Sequence, residues 1–133
     1  MLFDFDVTIP AGTQQLTPFE QTFKLTRGKL SQISVLFPPG PATLVYVVIR
    51  HGLHQLMPAN FDGTLNFDDM IITSLLNYAM VDSPYELTVL GWSPLAVYDH
   101  NITLHFNVEP TDDDNWDDFN RMVFLLNDKR RDR

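Results

Sequence analysis

From its amino end the chain alternates apolar and polar residues. In LFDFDVTI, Phe3, Phe5, Val7 and Ile9 fall on one side and Asp4, Asp6 and Thr8 on the other. A period of two sends successive side chains to opposite faces, so this segment predicts a half-buried strand. PAGT interrupts it. Phe19, Phe23 and Leu25 then alternate with Glu20, Thr22, Lys24 and Thr26, with Gln21 a polar member of the apolar set. After the turn RGK, Ile33, Val35 and Phe37 form the inner face of a third strand. PPGP at positions 38–41 stops it, because proline has no N–H to donate to a ladder.

TLVYVVIRHG departs from alternation. Leu44, Tyr46 and Val48 are apolar on one face, and Val45, Val47 and Ile49 on the other. Such a strand is covered on both faces. Either a second layer of the same chain covers it or its outer face meets a neighbouring subunit, which makes Tyr46 and Val48 candidates for a subunit seam. HQLMP reads as a short continuation after a kink at Gly52, and ANFDGT as a turn. MIITSLL reads as a strand or one or two helical turns, and NYAMVDSP as a loop. In YELTVLGW, Tyr85, Leu87 and Val89 alternate with Glu86, Thr88 and Leu90. The last strand is the most regular, with His100, Ile102, Leu104, Phe106 and Val108 against Asn101, Thr103, His105 and Asn107. Seven or eight short strands separated by Pro/Gly turns predict an all-β antiparallel sandwich, jelly-roll-like, over residues 1–110.

Beyond residue 110 the period changes from two to nearly four. Thr111 is placed to cap a helix, acids fill the first turn, and Lys129, Arg130 and Arg131 fall in the last, which suits the helix dipole at both ends. Trp116, Phe119, Met122, Val123 and Leu126 form one stripe about 120° wide, while Asp117 and Arg121 pair at four residues' spacing on the opposite side. Phe124 and Leu125 point away from the stripe, so one docking surface does not cover all seven apolar groups. A C-terminal amphipathic helix over 111–133 is therefore expected either to close its own sandwich or to reach a partner protein as well. Alone in water such a helix is marginal.

Composition narrows the functions open to the chain. Its 133 residues suit one domain, 44% hydrophobic and 20% charged, with a net charge of −8. A phosphate backbone is repelled by that balance, and the bases at Lys24, Arg27 and Lys29 and at Lys129, Arg130, Arg131 and Arg133 form only small clusters. Nucleic acid is not an expected partner. Cysteine is absent, which removes disulfides, thiolate metal sites and cysteine nucleophiles. MLFDFDVTIP reads as a strand and not as a signal peptide, and no apolar run reaches membrane-spanning length.

Candidate chemistry is sparse. His51 and His54 invite a metal reading, but a spacing of three on a strand puts them on opposite faces unless Gly52 bulges the chain. His100, His105 and Asp99 extend that reading to a composite zinc site, against which stand ordinary polar or interface histidines. Asn60, Asp62, Asn66, Asp68 and Asp69 lie within ten residues and supply oxygen donors of the kind calcium takes, without the closing bidentate glutamate of a calcium loop. They are also the residues turns prefer. Two carboxylates for hydrolysis come only from Asp68 or Asp69 with Glu86 or Asp99. No nucleophile elbow, phosphate loop or zinc-protease motif occurs, so the sequence leads to no enzyme and no cofactor. Trp92, Tyr46, Tyr85 and Tyr98 offer an alternative, a sugar-stacking platform on a carbohydrate-binding module.

The segments FDFDVTIPAGT, RHGLHQLMP, FDGTLNFDDM, PYELTVLGW and YDHNITLHFNV resemble small β-sandwich structural proteins of tailed-phage virions, above all the head decoration, or cement, proteins. The resemblance covers residues 1–110. It implies a non-enzymatic protein assembled in the host cytoplasm and residing in the virion. Such a protein binds capsid or other virion subunits, often as a trimer. On that reading Trp116, Phe119, Met122, Val123, Phe124, Leu125 and Leu126, with Tyr46 and Val48, are the expected contact residues.

Overall fold

A computed structural model of the chain describes residues 1–110. Eight strands follow one another with no helix among the described residues. They are β1 (Leu2–Ile9), β2 (Phe19–Lys24), β3 (Gly28–Phe37), β4 (Tyr46–His51), β5 (His54–Met57), β6 (Met70–Met80), β7 (Glu86–Trp92) and β8 (His100–Glu109). The C-terminal segment 111–133, with its expected helix, lies outside the described residues.

The strands form two four-stranded sheets, ordered β1-β8-β3-β6 and β2-β7-β4-β5, antiparallel throughout. The pairs β1–β8, β2–β7, β3–β6 and β4–β5 nest inside one another along the chain. A long antiparallel ribbon folded at the β4–β5 turn and then rolled up gives this order. It is the eight-stranded jelly roll. The expected fold class is thus the observed one for the described residues.

The alternation read along β1, β7 and β8 becomes the core. Val7, Ile9, Leu87, Val89, Ile102, Leu104, Phe106 and Val108 are buried between the sheets with Leu30, Ile33, Val35 and Phe37 of β3. Leu30 and Ile33 share the inner face at odd spacing because β3 bulges: two residues advance from Leu30 to Gln32 while β8 advances one, from Val108 to Asn107. The side chains of Ser31 and Asn107 bond across this irregularity at 2.9 Å. At the amino end Phe5 stacks on Phe23 with ring centroids 4.2 Å apart, joining the two sheets.

Two readings of the sequence are corrected here, and one open alternative is decided. HQLM does not continue β4 but turns back on it, since Gly52 and Leu53 form a two-residue hairpin turn with Gly52 at φ +60°. The strand beginning at MIITSLL runs on through Asn77–Met80, where a loop was expected, because β3 offers partners as far as Gly28. Val48 is only 3% exposed. Of the two ways to cover β4, the chain's own burial of Val48 is the one observed, so this side chain has almost no surface to give to a subunit seam.

Candidate interaction surfaces

The strand directions place the connections 10–18, 38–45, 58–69 and 93–99 at one end of the sandwich. Met1, the β2–β3 turn, the β4–β5 turn and the exit of the chain at Pro110 lie at the other. Two loops of the first end are tied together: Ser93 N–H donates to Thr13 O at 2.9 Å, Gly12 N–H to Ser93 O at 3.0 Å, and the Ser93 hydroxyl to Pro10 O at 2.7 Å. On these tied loops Leu16, Leu95, Val97 and Tyr98 stand in solvent, Tyr98 at 75% exposure. Large apolar groups on a braced loop end form a surface suited to contact with another macromolecule.

The second surface is the outer face of the β2-β7-β4-β5 sheet. Tyr46 and Trp92 are directly opposite in the β4–β7 register, and their rings stack with centroids 6.0 Å apart and planes 13° from parallel. Both are half-buried. Beside them the buried Gln55 donates from Nε2 to the carbonyls of Pro58 and Asn60, each at 2.8 Å, which pins the start of the β5–β6 connection against the sheet. Phe61 stands on that connection, exposed, with the Arg50 guanidinium 6.0 Å from its ring centre. Of the four aromatic residues proposed for sugar stacking, Tyr46 and Trp92 come together, Tyr85 packs against the core and Tyr98 belongs to the loop end.

The third surface is the edge of β6, which among the described residues pairs with β3 alone. Sequence reasoning missed it, although the signal was present: eleven consecutive residues with no acid or base.

The candidate chemical groups mostly have structural partners. The turn at Gly52 brings His51 and His54 together as cross-strand partners in the hairpin. Both approach Tyr78 of the other sheet: His51 Nδ1 lies 2.6 Å from the Tyr78 hydroxyl, and the His54 ring stacks on the Tyr78 ring at 5.7 Å. Burial pushes the Tyr78 phenol above its ordinary value. This trio latches one sheet to the other. His105 lies 3.1 Å from Asp4 on the β1-β8-β3-β6 sheet, far from the hairpin, and Asp99 accepts from Ala11 N–H at 2.7 Å. Among the described residues no three His, Asp or Glu side chains converge as metal ligands. Of the oxygen donors suggested for calcium, Asp68 accepts from the backbone N–H groups of Gly40 and Ala42 at 3.0 and 2.9 Å, Asn60 donates to Asp62 at 3.1 Å and Asn66 to Thr43 O at 3.5 Å. Asp68 and Asn66 tie the 58–69 connection to the 38–45 connection, and the Asn60–Asp62 bond lies within the former. Asp68 and Asp99 are at the loop end, whereas Glu86 begins β7 at the other, opposite Lys24. Glu86 therefore does not oppose Asp68 or Asp69.

No protein-family model, curated protein or solved structure matches the chain. The contact residues expected in the tail, Trp116, Phe119, Met122, Val123, Phe124, Leu125 and Leu126, lie outside the described residues.

Proposed function

We propose that this protein is a non-enzymatic structural component of a virus particle, a decoration protein that holds neighbouring capsid subunits together by contact area. The observation that carries the reading is the set of large apolar side chains left in water on the braced loop end: Leu16, Leu95, Val97 and Tyr98. A jelly roll is an architecture of viral capsid proteins and of lectins alike, so the surface and not the fold carries the argument. The acidic balance of the chain repels packaged nucleic acid and leaves protein as the partner. In this reading the tail is a further fastener, with Trp116, Phe119, Met122, Val123, Phe124, Leu125 and Leu126 as its contact residues.

The test is co-sedimentation of the purified full chain with capsid shells. The full chain pellets with the shells, and Phe124→Ser with Leu125→Ser weakens binding by at least tenfold, as expected for loss of two large apolar contacts worth about 1.5–3 kcal/mol each. A chain that stays in the supernatant at every concentration contradicts the reading.

The stacked Tyr46–Trp92 pair favours one second reading, a carbohydrate-binding module. There Trp92→Ala abolishes binding on a glycan array and leaves shell binding intact. An array on which the unaltered protein binds nothing removes it.

A further inference from the structure

Two sheets have four edge strands, and three of these are protected against pairing. β1 carries Asp4 and Asp6, β2 carries Glu20 and Lys24, and β5 is four residues long. Charge and shortness are the usual devices that keep an open edge from adding another strand. β6 has neither: it is eleven residues long and uncharged, with Ile71 62% and Leu75 80% exposed on its outward face. Among the described residues its backbone ladder is with β3 alone, and no turn or loop hydrogen bond engages Met70–Leu76.

We infer that β6 pairs edge to edge with β6 of a second copy of this chain, antiparallel across a two-fold axis at Thr73. This joins two four-stranded sheets into one of eight. The inference goes beyond the decoration reading and stands without it.

The register follows from three constraints. A two-fold perpendicular to the sheet keeps like faces together, so residues opposite one another have numbers with a constant, even sum. Second, β6 is irregular in its later half: it advances three residues from Tyr78 to Leu75 while β3 advances two. A bulge interrupts the ladder, so the regular pairing surface is the stretch around Met70–Leu75. Third, the exposed side chains must match. With the axis at Thr73, Ile71 meets Leu75 of the second copy, Thr73 meets Thr73, and Asp69 falls opposite Asn77. Placing the axis at Ile72 sets Leu75 against Asp69, at Ser74 sets Ile71 against Asn77, and at Leu75 runs the centre of the ladder into the bulge. An axis at Ile71 pairs Ile71 with itself but sets Thr73 against Asp69 and carries Leu75 past the start of the strand. Only Thr73 pairs Ile71 with Leu75 within β6 and keeps the centre of the ladder clear of the bulge.

Pairing over 70–76, with its outermost pair of Met70 and Leu76 beside the bulge, makes a ladder ~23 Å long at ~3.3 Å per residue, and two layers ~10 Å apart make the seam roughly 20 Å deep. That covers on the order of 500 Å² per copy, or about 1,000 Å² in all, the size at which specific association begins. The pair is therefore a reversible dimer. Its two-fold closure also sets it apart from the three-fold assembly that the likeness to decoration proteins implies.

Sedimentation equilibrium of the full chain tests this directly, with twice the 15.3 kDa chain mass expected on raising concentration. The chain has no cysteine, so an introduced one reports position without interference. Directly opposed Cα atoms lie ~4.5–5.5 Å apart in an antiparallel pair, within disulfide reach. Under mild oxidation Thr73→Cys forms a covalent dimer. Ile71→Cys does not, because its counterpart is four residues, or ~13 Å, along the ladder. Ile71→Lys with Leu75→Lys opposes like charges and weakens the dimer at least tenfold, whereas Ile71→Lys with Leu75→Glu opposes unlike charges and retains it. Both side chains stand in solvent, so an unchanged circular dichroism spectrum is expected for each variant. A mass of one or three chains at all concentrations, cross-linking at Ile71 equal to that at Thr73, or a double-lysine variant that still dimerises overturns the inference.

Discussion

Tyr78 sits where the two sheets meet at the hairpin end, its hydroxyl against His51 and its ring against His54. Burial raises its pKa above the ordinary 10.0, so the folded chain keeps the phenol proton to a higher pH than the unfolded chain does. Above about pH 10 the unfolded state binds fewer protons than the folded one, and stability falls as pH rises. The urea midpoint should therefore hold up to about pH 10 and drop as pH rises beyond it, and Tyr78→Phe should remove part of that drop. At neutral pH the same substitution keeps the ring stack and loses one hydrogen bond, at a cost of about 1 kcal/mol. Gly28 is a second residue with a decisive environment. A methyl group there would lie 2.5 Å from the Glu109 carbonyl oxygen and 2.8 Å from Val108 Cγ1. A backbone carbonyl fixed in a ladder yields little, so Gly28→Ala should cost roughly 1–3 kcal/mol by urea denaturation. Gly52→Ala meets no neighbour and carries only the φ +60° penalty, so its cost should be near 1 kcal/mol.

At the scale of the strand, Asp4 and Asp6 illustrate protection of an edge. They face outward from β1 while Phe3, Phe5, Val7 and Ile9 face in. Asp4→Val with Asp6→Val should leave the core intact and raise aggregation, seen as turbidity growing with concentration, because β1 would then present an unguarded apolar edge. The same alternation explains why so much of the sandwich was legible: a strand buried on one side must write period two into its residues, as β1, β7 and β8 do. Features set by contacts distant in sequence were not legible. The reversal at Gly52 and Leu53 needs the β4–β5 pairing to reveal itself, and the shared inward facing of Leu30 and Ile33 needs the β8 register. The approach of His51 and His54 to Tyr78 depends on the stacking of two sheets, which local spacing does not encode. Val48 read correctly as covered, yet only the folded chain shows that its own neighbours cover it.

At the scale of the whole molecule, the jelly roll sorts its features by position. One end carries braced loops with exposed Leu16, Leu95, Val97 and Tyr98, one edge carries β6, and the chain leaves toward its tail from the opposite end. Such a body has separate faces for separate contacts, as the proposed decoration role requires. Among the described residues, the polar groups that suggested chemistry brace loops and sheets, as Asp68, Asp99 and His51 do. The measurement that tests adhesion to a particle most directly is the distribution of the chain across a density gradient of purified particles, quantified against the main shell subunit. A constant ratio of the two through the particle peak is predicted, with mild urea releasing the chain as folded protein. Recovery of the chain only from the soluble fractions, with none at the particle density, would contradict it.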